Sequence, residues 1–304
     1  MKRYHHNSHA LLSLGVFAGL FAGLPASSSA QSVWAESLVG AANIGYYNYW
    51  NSSNYSGDNS PATASFSSDF TGLDGAGNTE TMSFDGDTVS QAFFGQLHVY
   101  TTATLDNSYY NANNPVYYNS DTDTLDPNGS PNSLSSLGFA GFDDTLQFGG
   151  NLVTGYQAVY IFHVDGTNSG VGTLADLAVN VTDDPSQSFF DWQNGYSSED
   201  WVTTPFAVNG QNAQEINIQF SDQVVMNTWQ LQDGGNYSGT SDFSDTLTLS
   251  GIELVDPSGK PFSGWTVTSA SGTVYNQVYS TPSPAAFVPF LVALPGLLLR
   301  RRNR

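Results

Sequence analysis

The sequence predicts an all-β fold, an antiparallel two-sheet sandwich of the jelly-roll or immunoglobulin-like kind, with a helical segment at each end. Apolar and polar residues alternate with a period of two along much of the chain, which is typical of strands buried on one face. Clusters of Gly, Asn, Asp and Pro separate the alternating stretches, as expected for turns. Helical periodicity is confined to the two ends. The 304 residues contain no cysteine, so packing and hydrogen bonds must stabilise the fold without disulfides.

Residues 1–30 have the three parts of a secretory signal peptide. A basic start at 1–3 precedes an apolar core at 11–24 and a small-residue cleavage site at 28–30. No cysteine follows the apolar core, which excludes a lipoprotein anchor. We therefore expect this segment to engage the export machinery as a helix and to be removed.

Residues 31–280 are predicted to form one β-sandwich domain. Residues 107–136, dense in Asn, Asp, Ser, Pro and Tyr, form a long irregular loop within it or, alternatively, a linker between two strand groups. The predicted strands lie at 95–105, 153–164, 177–181, 215–220, 223–231, 246–255 and 264–268. The predicted turns lie at 165–168, 183–186, 233–236 and 256–259.

The strand at 246–255 has a break in its alternation. Its apolar residues are odd-numbered before Gly251 and even-numbered after it. Because a strand changes faces only when a residue is inserted, we predict a β-bulge at Ser250-Gly251, where glycine relieves backbone strain.

The charges of the domain are almost all negative. All 27 acidic residues lie between Glu36 and Asp256, whereas Lys260 is the one basic residue of the stretch 31–280. Such a surface repels nucleic acid and anionic lipid, so neither is an expected partner of the domain. It would attract cations, basic proteins or amino-sugar polymers, or keep the protein dissolved.

The last residues, 281–304, combine a short polar motif, an apolar run and a basic end. The motif is Pro282-Ser283-Pro284, and the apolar run at 285–299 is shorter than the roughly 20 residues that a membrane-spanning helix needs. A basic cluster next to an apolar segment is typical of the cytoplasmic side of a membrane. We therefore expect a marginal membrane helix stopped by four arginines: Arg300, Arg301, Arg302 and Arg304.

This tail resembles that of the PEP-CTERM family of exported bacterial proteins, and residues 242–275 look like the region that commonly precedes such tails. The resemblance implies recognition and cleavage near the motif by an exosortase-like membrane protease, which releases the body to the cell envelope or extracellular matrix. Ser283 stands where the family has Glu. The tail is therefore a variant sorting signal, a substrate of a different protease, or a simple membrane anchor. A sortase signal fits poorly, because residues 294–296 lack the required Thr.

Candidate metal ligands are weak. Asp121, Asp123 and Asp126 offer hard oxygen ligands for Ca²⁺, but the stretch departs from the EF-hand pattern and also reads as a solvated acidic loop. The pairs at 143–144 and 183–184 are weaker still, since adjacent carboxylates usually cap turns. No cofactor is expected.

Histidines offer little catalytic signal. His98 and His163 are the two histidines after residue 30, and His163 could share a strand face with Asp165. No serine elbow, zinc-binding helix motif or phosphate-binding loop accompanies them. A non-catalytic protein is the expectation.

Aromatic clusters beside Asn and Ser suit sugar binding, although tyrosine is also an ordinary strand residue. The sequence thus predicts an exported structural protein of the cell surface or matrix, with a carbohydrate-binding module of the polysaccharide matrix as the alternative. The clusters are Tyr46, Tyr47, Tyr49 and Trp50, then Tyr109, Tyr110, Tyr117 and Tyr118.

Overall fold

In a computed structural model of the chain, the described residues are 31–42, 48–73, 76–106, 117–119, 124–126, 133–150, 152, 154–181, 184–190, 195–208, 213–226 and 235–278. They form two antiparallel sheets, here named sheet A and sheet B, and a short two-stranded sheet. None of these residues is helical, so the described part of the chain contains no helix able to cross a membrane. The helical segments predicted at 1–30 and 281–304 lie outside the described residues.

The chain passes several times between the two sheets. Their bounds are β1 (Ser32–Ala42), β2 (Asn48–Ser56), β3 (Ala62–Leu73), β4 (Thr79–Phe93), β5 (Gln96–Asp106), β6 (Tyr117–Asn119), β7 (Thr124–Asp126), β8 (Ser133–Gly150), β9 (Gln157–Gly170), β10 (Thr173–Val181), β11 (Asp184–Phe190), β12 (Gly195–Val202), β13 (Phe206–Ala207), β14 (Ala213–Met226), β15 (Asn236–Val255) and β16 (Trp265–Ser269). Sheet A has the order β11-β10-β14-β8-β1-β2, with β16 beside β8. Sheet B has the order β12-β9-β15-β5-β4-β3, with β13 beside β9, and β6 pairs with β7.

The predicted all-β fold with two antiparallel sheets is confirmed. The strands predicted at 95–105, 177–181 and 264–268 correspond to β5, β10 and β16. The strands predicted at 215–220 and 223–231 were wrongly separated. Their described part is the single strand β14, whose pairing with β8 continues from Ala213 to Met226 without a shift in register.

The turn predicted at 165–168 is wrong. These residues lie inside β9, where the backbone pairs with β12 on one side and with β15 on the other. Gly166 makes room for the ring of Phe243 instead of bending the chain. The turn at 256–259 is confirmed, since the N–H of Gly259 donates to the carbonyl oxygen of Asp256 at 2.8 Å. The predicted turn at 183–186 is wrong from Asp184 onward, where β11 begins.

The predicted bulge in β15 is confirmed, but its cause differs from the prediction. Pairing with β9 joins Leu249 to Phe162 and Gly251 to Ile161, so Ser250 is the inserted residue. The hydroxyl of Ser250 donates to the carbonyl oxygen of Ile161 at 3.0 Å. Gly251 does not have a positive φ. A side chain there would collide with Val278, so close packing, not backbone strain, explains the glycine.

Two apolar clusters fill the space between the sheets. The larger includes Phe142, Phe162 and Phe220, and the smaller includes Phe84 and Met226. All of these side chains are buried because strand alternation directs them to the inner faces of the sheets. Burial of this apolar area is the main favourable contribution to folding.

A buried polar layer separates these two clusters. On sheet B, strand pairing aligns four residues on adjacent strands, and on sheet A it aligns Asp222 with Gly138 and Ser37. Gly138 lets the sheets approach closely, because a Cβ atom there would lie 2.7 Å from the Ser90 hydroxyl. The four aligned residues of sheet B, all buried, are Thr88, Thr101, Ser241 and Asn168.

A third apolar cluster lies on the outer face of sheet A. Trp34, Leu38, Leu137 and Phe139 are buried there. Asp176 is on the same face and is 1% exposed. Among the described residues, neither of its carboxylate oxygens has a hydrogen-bond partner. This face therefore combines apolar side chains with a buried acid.

Candidate binding groove on sheet B

The outer face of sheet B carries a groove of about 420 Å³. Strands β3, β4, β5 and β15 lie side by side beneath it. The groove is lined by Ser67, Ser83, Phe84, Asp85, Thr104, Leu105, Asp106, Asn236, Tyr237 and Ser238.

Strand pairing orders these polar side chains into two rows that cross the strands. The first row, which begins at Asp69 beside the groove, continues along it through Ser83, Asp106 and Asn236. The second row runs through Ser67, Asp85, Thr104 and Ser238. Each row therefore crosses all four strands.

Strand alternation explains why these polar residues are outside. In β3 and β4 the even-numbered Phe70, Met82 and Phe84 are buried in the smaller apolar cluster. The odd-numbered residues of both strands must then point outward, and they are mostly Ser, Thr and Asp. Residues 63–71 and 81–87 thus form a hydroxyl- and carboxylate-rich surface because their apolar neighbours form the core.

Hydrogen bonds hold part of this surface in place. The hydroxyl of Ser83 donates to Asp69 at 2.5 Å across the β3–β4 pair. Just outside the groove, beyond its second row, the hydroxyl of Thr102 donates to the carbonyl oxygen of Gly239 at 3.0 Å and lies 3.2 Å from the hydroxyl of Thr240. Side chains fixed on paired strands lose little conformational entropy when they bind a ligand.

The groove offers both hydrogen-bond donors and acceptors. Its hydroxyls and the Asn236 amide can donate and accept, and the carboxylate oxygens of Asp85 and Asp106 can accept. Tyr237 pairs with the buried Leu105 and packs on the smaller apolar cluster between the sheets, so the outward side chains of the groove are polar. Hydrogen-bond donors and acceptors on one surface are the groups that the hydroxyls of a sugar require.

Both histidines of the domain lie on the outer face of sheet B. The side chain of His163 contacts Asp200 of β12 and not Asp165, because His163 and Asp200 lie directly opposite each other in the strand register. The His163 Nδ1 and Asp200 Oδ1 atoms are 2.9 Å apart, and the side chains are 44% and 63% exposed. His98 Nδ1 lies 2.6 Å from the carbonyl oxygen of Ser244. Both contacts lie on the outer face of sheet B.

The predicted metal ligands Asp121 and Asp123 lie outside the described residues, as does the side chain of Asp126. Asp143 and Asp144 are fixed by hydrogen bonds, since Asp143 accepts from Asn217 at 2.6 Å and Asp144 from Ser271 at 2.6 Å. Within the described part of the chain, no group of three or more acidic or histidine side chains is arranged for a metal ion.

The predicted aromatic clusters and the sorting motif Pro282-Ser283-Pro284 also fall outside the described side chains. The groove was not predicted from the sequence. Alternating Ser, Thr and Asp at 63–71 and 81–87 was a usable signal for a polar outer face, but the partnership with residues 236–238 was not visible in the pattern.

No protein-family model and no curated protein matches this chain. A solved structure of TmCBM61 in complex with β-1,4-galactotriose is similar at 13% sequence identity and a TM-score of 0.21, over 47% of this chain and 81% of that chain. A likeness at this level carries no argument about the ligand of this chain.

Proposed function

We propose that this protein is an exported, non-catalytic component of the cell envelope or extracellular matrix, and that its sandwich binds polysaccharide along the groove on sheet B. The groove carries the proposal. Two ordered rows of hydroxyls, carboxylates and an amide cross four paired strands. A rigid surface of this composition suits a ligand that presents many hydroxyl groups.

Binding is tested by titrating the purified protein with a panel of soluble glycans in a calorimeter. Asp85→Ala removes an exposed carboxylate from the middle of the groove and should weaken binding about tenfold, the value of one charge-assisted hydrogen bond. Asp165→Ala is the matched control, because Asp165 lies on the same face of sheet B but outside the groove. Absence of binding to every glycan, or equal weakening by both variants, would refute the proposal.

Export and sorting are supported by the sequence of the two ends. In this proposal, residues 1–30 direct export, and a PEP-CTERM-like tail is cut near Pro282-Ser283-Pro284 by an exosortase-like protease after the four terminal arginines halt transfer. A C-terminal tag should then separate from the secreted body. A tag that stays on fully localised protein would leave the tail as a permanent membrane anchor and exclude cleavage.

A further inference from the structure

The shape of the groove sets the direction of a bound chain. Neighbouring strands are about 4.8 Å apart, and residues two apart on one face of a strand are about 6.8 Å apart. The lining residues cover four strands but only two rows. The groove is therefore about 14 Å long across the strands and about 7 Å wide along them.

The polar groups repeat along that direction. Three of the four strands place two outward-facing polar side chains in the groove, and β3 places Ser67 there. The β4 pair is Ser83 and Asp85, and the β5 pair is Thr104 and Asp106. Each of these two strands thus offers one hydroxyl and one carboxylate. A ligand with a repeating unit close to the strand spacing would meet similar partners at each step, and a pyranose ring has that size.

Charge restricts which repeating unit fits. Asp85 and Asp106 line the groove, and Asp69 and Asp87 lie beside it in the strand register. The one basic residue of the stretch 31–280, Lys260, lies beyond the end of β15, where its backbone N–H is bonded to Asp256. A uronic acid or sulfated sugar would be repelled here.

We propose that the groove holds a linear glycan without acidic groups, running across the strands with about one sugar over each of β3, β4, β5 and β15. This inference rests on the proposed polysaccharide binding and adds the direction, the length and the charge class of the ligand. A chain bound in this way would use four sugar subsites, so sugars beyond the fourth would make no further contact with the groove.

The length is tested by calorimetry with a series of neutral oligosaccharides of one to six sugars. Affinity should rise up to four sugars and then level off, and the same chain carrying uronic acids should bind at least about tenfold more weakly. An affinity that levels off at one or two sugars, or equal binding of the acidic chain, would overturn the inference while leaving polysaccharide binding intact. No binding of any glycan would overturn both.

The direction is tested with two variants of the purified protein. Asn236→Ala changes the end of the groove across the strands, and Asp87→Ala changes the next position along β4, outside the groove. Asn236→Ala should weaken the tetrasaccharide severalfold, and Asp87→Ala should leave it unchanged. Weakening by Asp87→Ala without weakening by Asn236→Ala means that the chain runs along the strands, which contradicts the proposal.

Discussion

The hydroxyl of Tyr275 donates a hydrogen bond of 2.8 Å to Oδ2 of Asp144, which joins the last described segment of the chain to β8. The same oxygen accepts from the hydroxyl of Ser271 at 2.6 Å. The other carboxylate oxygen accepts from the N–H groups of Thr145 and Ser271 at 2.8 and 3.1 Å. Asp144 is 1% exposed, so it is a buried acid with hydrogen bonds to both oxygens. Its hydrogen bonds hold residues 271–275 against β8.

Replacement of Asp144 by Ala should destabilise the domain by about 3 kcal/mol, because the buried Tyr275 hydroxyl and the Ser271 groups lose their acceptor. Tyr275→Phe should cost less, about 1 kcal/mol, since it leaves the other hydrogen bonds to Asp144 intact. Urea unfolding measures the free energy of unfolding of both variants. Val274→Ala is the control, since Val274 is 90% exposed beside Tyr275. Equal stability of the Asp144→Ala variant and the wild type would contradict this role.

The bulge at Ser250 gives a second test, through the contact between Gly251 and Val278. A methyl group on Gly251 would overlap the Val278 side chain, so Gly251→Ala should destabilise the domain by about 1–3 kcal/mol. Adding Val278→Ala should recover part of this loss, because the smaller side chain makes room. Thermal unfolding of the single and double variants measures the coupling. Additive losses would show that the two residues do not compete for space.

Strand alternation predicted the inward- and outward-facing residues well where apolar side chains face the core. It predicted the first half of β14, for example, because Ile216, Ile218 and Phe220 alternate with polar residues. Polarity does not indicate which side chains are buried in the polar layer, where Thr88 and Ser90 are buried and Val89 between them is 40% exposed. A cross-strand polar partner, the Thr101 hydroxyl 3.1 Å from that of Thr88, replaces water there.

The groove needed information that the sequence pattern does not contain. Its two rows form because residues 236–238 of β15 pair with residues 104–106 of β5, more than a hundred positions away. Local alternation sets the face on which a side chain lies but not the strand beside it. The composition of the groove was therefore predictable strand by strand, whereas its shape was not.

Asp176 should make stability depend on pH near neutrality. Burial raises the pKa of its carboxyl group from 3.8 to about 7. Because the folded-state pKa is the higher one, the protonated acid is favoured by folding. This stabilising contribution is complete below pH 3.8 and is lost as the pH rises to about 7, a change of about 4 kcal/mol.

Asp176→Asn keeps the size of the side chain and removes the titration. The variant should therefore be more stable than the wild type at pH 8 and should gain less stability on acidification to pH 5. Urea unfolding at both pH values measures the difference. Asp165→Asn, on the half-exposed outer face of sheet B, serves as the control. Parallel pH profiles for Asp176→Asn and the wild type would contradict the raised pKa.

Asp222, in the polar layer, should act in the same direction. Burial raises the pKa of this carboxyl group well above its ordinary value, and the nearby Asp242 raises it further. The Ser241 hydroxyl and the Gln223 N–H lower the pKa in part, but neither makes a hydrogen bond of good geometry to the carboxylate. The layer thus favours a protonated Asp222, and stability from this group falls as the pH rises above 3.8.

Asp222→Asn should raise stability at alkaline pH and have a smaller effect at pH 4, because pH 4 is close to the unfolded pKa of 3.8 and protonating the carboxyl group costs little there. The Asp176→Asn/Asp222→Asn double variant should have the flattest profile of stability against pH, because the two acids lie on opposite faces of sheet A and titrate separately. Chemical unfolding from pH 4 to pH 9 measures all four proteins. Equal losses of stability between pH 4 and pH 9 in the wild type and Asp222→Asn would contradict the raised pKa. That result would mean that Asp222 is ionised in the folded protein and that the polar layer compensates its charge.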